Sequence, residues 1–177
     1  MVERPRRPAV FLDRDGVLNV DHGYVSSRVN FQWIPGAIKA VKALNDAGYY
    51  VFVATNQSGI ARGFYTEREM QALHDFMNAE FARAGARIDD WRHCPFHPDG
   101  TVAQFKKLSD WRKPNPGMIL DLMKVWPIDR VSSVLIGDKE SDMEAARAAG
   151  IRPLWFRGGD LLEFVREFLL GSGRSIQ

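Results

Sequence analysis

Short unbroken apolar runs alternate along this chain with longer stretches whose apolar residues recur every three or four positions. Val10 to Leu12, Tyr50 to Ala54, Val134 to Ile136 and Pro153 to Phe156 are runs of the first kind. They predict interior strands of a parallel sheet, where both faces of each strand are covered. Ala37 to Ala47 places Ile38, Val41 and Leu44 at spacing three before Gly48, which predicts a helix and its stop. Thr66 and Glu69 form a Thr-x-x-Glu capping box, and Met70, Leu73, Met77 and Phe81 continue it as an apolar stripe, a second helix ending by Gly85. Pro116 suits the first turn of a third helix, and a fourth runs from about Ser141 through Ala149 to Gly150. Strand and helix in alternation predict an α/β chain: a three-layer, Rossmann-like parallel sheet with right-handed crossovers. In such sheets ligands sit beyond the carboxyl ends of the strands.

Two stretches lack either period. Asn19 to Pro35 follows the first strand directly and is placed to form a flap over that same sheet edge. His93 to Pro116 holds Pro95, Pro98, Pro114, Pro116 and Asp99-Gly100, the signature of an irregular functional loop. These loops leave room only for a minimal cap, so the site beneath is expected to be open.

A chain of 177 residues is expected to form one domain, residues 1–177. Its 24 basic and 22 acidic side chains leave a formal charge of +2, which gives no broad positive field for nucleic acid. Cys94 is the sole cysteine, so no internal disulfide framework exists and a cytoplasmic setting is expected. The apolar stretch after the N-terminus is too short for a secretory h-region, and no run approaches a membrane span. A monomer is expected. Arg4, Arg6 and Arg7 read as a frayed terminus, His74 and His93 as solvated or hydrogen-bonded, and Trp91, Trp126 and Trp155 as core or core-edge packing.

The chemistry concentrates where strands end. Asp13-Arg14-Asp15-Gly16 puts two carboxylates two residues apart, which point the same way in extended chain and call for a hard cation such as Mg²⁺. Alone, the stretch also reads as an ordinary strand-to-loop turn. Thr55-Asn56-Gln57-Ser58-Gly59 offers a hydroxyl and amides suited to phosphate oxygens, or simply a polar turn. Arg112-Lys113-Pro114 supplies two adjacent cations on a restricted backbone, or a solvated basic pair. Gly137-Asp138-Lys139-Glu140-Ser141-Asp142 brings a third acid to a strand end, or an acidic first turn favourable to a helix dipole. Acid pair, hydroxyl, lysine and third acid in that order make the functional reading the better one.

Together these residues resemble the four motifs of the haloacid dehalogenase (HAD) superfamily of aspartate-based phosphatases. Asp13 to Asn19, Asp21 to Tyr24, Thr55 to Gly63 and Arg112 to Met118 further resemble the D-glycero-D-manno-heptose 1,7-bisphosphate 7-phosphatases. The resemblance spans roughly Val10 to Phe156. It implies a Mg²⁺-dependent phosphomonoesterase for a small phosphorylated sugar, with Asp13 as nucleophile and Asp15 as acid and base. It further implies Mg²⁺ on Asp13, the Asp15 carbonyl and Asp138, and Thr55 and Lys113 on the phosphoryl oxygens. Asp21, His22, Gly23 and Tyr24, with Asn56, Gln57 and Ser58, would meet the sugar; Arg112 would select it; Lys139 would lie near the phosphate. Removing Lys113 is expected to cost rate more than fold.

The chain departs from that family in one place. The family pattern carries a zinc site of three Cys and one His; here Phe96, Ser109 and Trp111 stand at ligand positions, so no zinc is expected. Phe96 and Trp111 are instead expected to pack against each other. Histidinol-phosphate phosphatase is the near alternative. A phospho-acceptor signalling domain is the alternative of another class, disfavoured by Asp15, which supplies the acid and base for turnover.

Overall fold

A computed structural model describes residues 5–171, so Arg4 lies outside the described residues. Five strands, β1 (Ala9–Leu12), β2 (Tyr50–Asn56), β3 (Asp90–Cys94), β4 (Val134–Gly137) and β5 (Arg152–Trp155), form one all-parallel sheet in the order β3-β2-β1-β4-β5. The helices are α1 (Ala37–Asp46), α2 (Glu67–Arg83), α3 (Gly117–Val125), α4 (Glu140–Ala149) and α5 (Leu161–Val165). None of these is long and apolar enough to cross a membrane.

The unbroken apolar runs follow from this layering. Val10 and Leu12 of β1 pack with Leu44 of α1, Met77 and Phe81 of α2 and Leu161 of α5, while Ala9 and Phe11 pack with Leu122 of α3 and Ala145 of α4. Alternate residues of one strand thus serve opposite layers, and each is worth about 1.5–3 kcal/mol for a large aliphatic or aromatic side chain fully buried. Thr66 caps α2 as its sequence predicts, its hydroxyl accepting from the Glu69 N–H at 3.2 Å while Glu69 accepts from the Thr66 N–H at 2.7 Å. Gly48 (φ 87°) and Gly150 (φ 72°) end α1 and α4 in the left-handed region.

Three expectations change. The Pro153 to Phe156 run is an edge strand rather than an interior one: β5 pairs only with β4, and Trp155 is 37% exposed beneath the Arg157 guanidinium. β3 was hidden at the start of the irregular stretch, because Asp90 and Arg92 break its apolar character. As a half-covered edge it tolerates them, with Arg92 paired to Asp90 at 2.8 Å and to Asp121 at 2.7 Å. Pro116 occupies the N-cap of α3 rather than its first turn.

β1 sits at the sheet's centre. The chain proceeds from it to β2 and β3 on one side and then crosses to β4 on the other, so the carboxyl ends of β1 and β4 border the topological switch point. The flap is fixed beside this crevice by aromatic contacts. Phe31 meets Trp33 edge-on at 4.8 Å and Phe76 of α2 at 5.6 Å, and Trp33 meets Phe81 at 5.1 Å, each such pair adding about 0.5–1.5 kcal/mol beyond area.

Candidate active site

A cavity of about 440 Å³ opens at the carboxyl ends of β1, β2 and β4. Asp13 and Asp15 line it from the end of β1, with Asn56, Gln57 and Ser58 from the end of β2. Asp21, Gly23 and Tyr24 reach it from the flap, Arg112 and Lys113 from the loop before α3, and Lys139 from the end of β4. Tyr65, Pro114, Ser141 and Asp142 also line it. His22 is exposed and outside the lining, a correction to its expected place: its neighbours turn inward through Gly23 (φ 80°) and Tyr24 (φ 53°), and His22 faces solvent.

Lys113 is the electrostatic centre of the cavity floor. It is 3% exposed, and its ammonium lies 3.0 Å from Asp13 and 2.6 Å from Asp142 while donating to the Ala54 carbonyl at 2.7 Å. Burial alone would lower its pKa, but the two carboxylates reverse that and hold it above the ordinary lysine value. Asp13 is raised as well, to about 7: burial pushes it up, Lys113 pulls it down, and Asp142, Asp15 and Asp138 push it up again. An acid cluster this dense is short of positive charge, which is the condition that recruits a cation.

Carboxylate oxygens of Asp13, Asp138 and Asp142 lie within 4.8 Å of one another. Asp142 is already committed: one oxygen takes Lys113, and the other accepts the Asp138 and Lys139 N–H groups at 3.2 and 3.1 Å. Asp138 Oδ1, in contrast, is buried with no hydrogen-bond partner, beside a Gly16 whose Cβ would fall 2.1 Å from Asp138 Oδ2. Hard oxygen donors, an orphaned carboxylate oxygen and the excess of acid fit Mg²⁺. The Asp15 carboxylate stands apart from this cluster. Its Oδ1 accepts from Arg14 at 2.9 Å and Asn19 at 3.0 Å, and its Oδ2 from Gln57 at 3.0 Å.

Several residues expected to meet the sugar are spent on the protein itself. The Asn56 side chain donates to the Lys113 carbonyl and accepts from the Lys113 N–H, both at 3.0 Å, clamping the lysine's backbone to the end of β2. Gln57 donates to Asp15 and to the Thr55 hydroxyl, and accepts from Tyr65, an aromatic that sequence alone did not single out. Thr55 itself is fully buried. Lys139 bridges to Asp21 of the flap at 3.1 Å. That hydrogen bond and the charges of Asp13, Asp21 and Asp138 raise its pKa against the opposing pull of burial. Arg112 carries a buried Nη1 with no partner, and neighbouring Arg62 a buried Nε in the same condition.

Phe96 and Trp111 both cover a small cluster of Ala54, Cys94 and Met118, where the buried Cys94 thiol is pushed up by desolvation. The expected ring-on-ring pair is replaced by a shared packing surface: the aromatic partner of Phe96 is Phe105, at 6.1 Å, and Lys107 sits over its face.

His74 is not solvated. It is 2% exposed, stacked on Trp91 at 4.4 Å and 3.2 Å from the Arg14 guanidinium, whereas His93 meets Glu67 at 2.9 Å. Burial first, then the Arg14 and His93 charges, hold the His74 imidazole neutral down to about pH 2. The unfolded imidazole protonates near pH 6.5, so between those values the unfolded chain binds a proton the folded one refuses. The stability His74 confers is therefore complete above that pH and declines below it, by up to about 1.4 kcal/mol per pH unit. Urea midpoints measured from pH 8 to about 5 should fall more steeply for the wild type than for His74→Gln; parallel curves would contradict the assignment.

Fold and site together define a phosphatase of the haloacid dehalogenase superfamily, and residues 110–161 match the HAD-hyrolase-like family. Over 171 residues, 97% of this chain and 95% of its relative, the sequence is 52% identical to the D-glycero-beta-D-manno-heptose-1,7-bisphosphate 7-phosphatase of Rhodopseudomonas palustris. A crystal structure of D,D-heptose 1,7-bisphosphate phosphatase from B. bronchiseptica, complexed with magnesium and phosphate, superimposes with a TM-score of 0.77 and 33% identity, covering 94% of this chain and 90% of that one. A HAD-like phosphatase of Mesorhizobium loti superimposes with a TM-score of 0.78 and 36% identity over 85% of this chain and 72% of that one. The chain belongs to the family of D-glycero-beta-D-manno-heptose-1,7-bisphosphate 7-phosphatases.

Proposed function

We propose that the protein hydrolyses the 7-phosphate of D-glycero-β-D-manno-heptose 1,7-bisphosphate through a phosphoryl group carried on Asp13. The observation that carries this reading is the Asp13 carboxylate, buried at the cavity floor, 3.0 Å from Lys113 and beside the free oxygen of Asp138. Magnesium held by Asp13 and Asp138 would supply positive charge that keeps Asp13 ionised and offsets its repulsion of an incoming phosphate dianion.

An Asp13 oxygen attacks phosphorus, the bond to the sugar oxygen breaks, and Asp15 gives its proton to that departing oxygen. Asp15, now a carboxylate, takes a proton from water as the water oxygen attacks phosphorus and the Asp13–phosphorus bond breaks. Phosphate leaves and Asp15 is protonated again, so the net change is ester plus water to alcohol plus phosphate. Lys113 steadies the transferring oxygens and Asp142 holds Lys113. The half-buried Arg112, with a guanidinium nitrogen unspent, suits a second anionic group on the substrate. The single buried Cys94 agrees with a cytoplasmic enzyme.

Phosphate release is expected from the heptose bisphosphate with added Mg²⁺, to disappear with a chelator and to return when Mg²⁺ is restored. The β anomer should exceed histidinol phosphate in kcat/KM by at least about tenfold. Histidinol phosphate as the better substrate would overturn the assignment, as would undiminished activity in chelator. Elemental analysis of the purified protein should find no stoichiometric zinc.

A further inference from the structure

We propose that Arg14 and His74 form a buried positioning pair that fixes the acid–base carboxylate of Asp15. This rests on the reading of Asp15 given above. Arg14 is fully buried, unusual for a guanidinium, and each end of its fork has a defined partner. Nη2 donates to Asp15 Oδ1 at 2.9 Å and to the Val25 carbonyl in the flap. Nη1 meets His74 Nε2 at 3.2 Å.

A guanidinium has only donors, so His74 Nε2 must be the lone-pair nitrogen and the ring proton sits on Nδ1. The ring's own place is set independently of the site. Trp91 of β3 stacks on it with an interplanar angle of 25°, and the Trp91 indole donates to Asn78 of α2 at 3.1 Å. The fork is planar and rigid, so holding Nη1 from α2 orients Nη2 toward Asp15 and Val25 at once. Asp15 Oδ1 thereby takes two donors, Arg14 and Asn19, whereas Oδ2 takes only Gln57 and keeps a lone pair for the proton. Without the His74 acceptor, a second buried guanidinium nitrogen would join the already orphaned Nε, and the fork would be free to turn.

Neither Arg14 nor His74 lines the cavity, so their effect should follow the work asked of Asp15. A proton donor matters for expelling an alkoxide and little for expelling a nitrophenolate, which leaves unprotonated. The experiment compares kcat/KM for the heptose bisphosphate and for p-nitrophenyl phosphate in His74→Phe, His74→Gln, Arg14→Lys and Asp15→Asn, with thermal melts alongside. His74→Phe, which keeps a ring on Trp91 but no acceptor, should lose about 10–100-fold on the alkyl ester and at most about threefold on the aryl ester. His74→Gln, which restores an acceptor, should recover most of that loss. Arg14→Lys, which keeps the charge without the fork, should behave as His74→Phe does and decides the matter if the phenylalanine variant does not fold.

Equal losses on both esters, or none, in His74→Phe and Arg14→Lys would overturn the inference while Asp15→Asn still showed the selective loss. Asp15→Asn without selective loss would instead remove the acid reading of Asp15, and the inference with it.

Discussion

Asp13→Asn is expected to abolish phosphate release, with a loss of about 10⁴-fold or more, while the protein melts no lower than the wild type. An amide is isosteric with the carboxylate but is a far poorer nucleophile toward phosphorus. The loss is an all-or-none removal of the step on which the others depend, as in other enzymes deprived of a nucleophile. The retained stability follows from the charge count in the cavity floor. Asp13, Asp138 and Asp142 crowd one another within 4.8 Å and face the buried Lys113. With Asp13 neutralised, Lys113 keeps Asp142 at 2.6 Å, and both the cost of burying a charge at position 13 and its repulsion by the neighbouring acids, which raise Asp13 to about 7, are gone. Activity assays with added Mg²⁺ and melts without it check the two halves; a variant that folds and turns over at even a hundredth of the wild-type rate would contradict the nucleophile assignment.

The second large effect concerns Lys113, to which the structure gives a load in the fold that the sequence does not disclose. The sequence reading makes Lys113 a residue whose removal costs rate more than fold. Its ammonium is nearly inaccessible and ties β1, β2 and α4 together through Asp13, the Ala54 carbonyl and Asp142. Lys113→Met leaves two buried carboxylates without their cation. In chelator near neutral pH it should lose about 3–5 kcal/mol of unfolding free energy, the cost of an unpaired buried charge. The rate on any phosphomonoester should fall about 10²–10³-fold, as for removal of one preorganised donor to the transition state. The folding deficit should shrink as the pH drops. Asp13, with its raised pKa, then protonates within the folded protein and no longer needs a partner. Urea midpoints that match the wild type at neutral pH would contradict this account of the floor.

The candidate catalytic groups were legible because each lies in a short local run, three of them at the carboxyl end of a strand (Asp13 to Asp15, Thr55 to Ser58 and Asp138 to Asp142) and one, Arg112 and Lys113, in the loop before α3. What such runs do not disclose is which side chains face the substrate and which hold their neighbours. Asn56 grips the Lys113 backbone across 57 positions, and Gln57 spends its amide on Asp15 and Thr55. The first pairing exists only once β2 and the loop before α3 have met, and the grip of Gln57 on Asp15 only once the ends of β1 and β2 lie side by side.

Asp142 was visible as part of a motif, but its grip on Lys113 was not. His74 shows a signal that was present and outweighed. It lies four residues beyond Met70 and three before Met77, within the apolar face of α2, and the stripe alone places it inside. Its polar character left it solvated or hydrogen-bonded, and the second holds: Arg14, buried beneath the flap, supplies the partner that makes the interior position possible. β3 escaped because its edge position permits Asp90 and Arg92 where an interior strand would not.

The central claim is that phosphorus passes through the Asp13 carboxylate, and rapid acid quenching of the enzyme during its first turnover, followed by peptide mass analysis, tests it most directly. The peptide holding Asp13 should gain the mass of one phosphoryl group on that aspartate. The signal should rise and then decay in the wild type, and should be absent in Asp13→Asn. Full first-turnover phosphate release with Asp13 never modified, or with the phosphoryl group found on another residue, would contradict it.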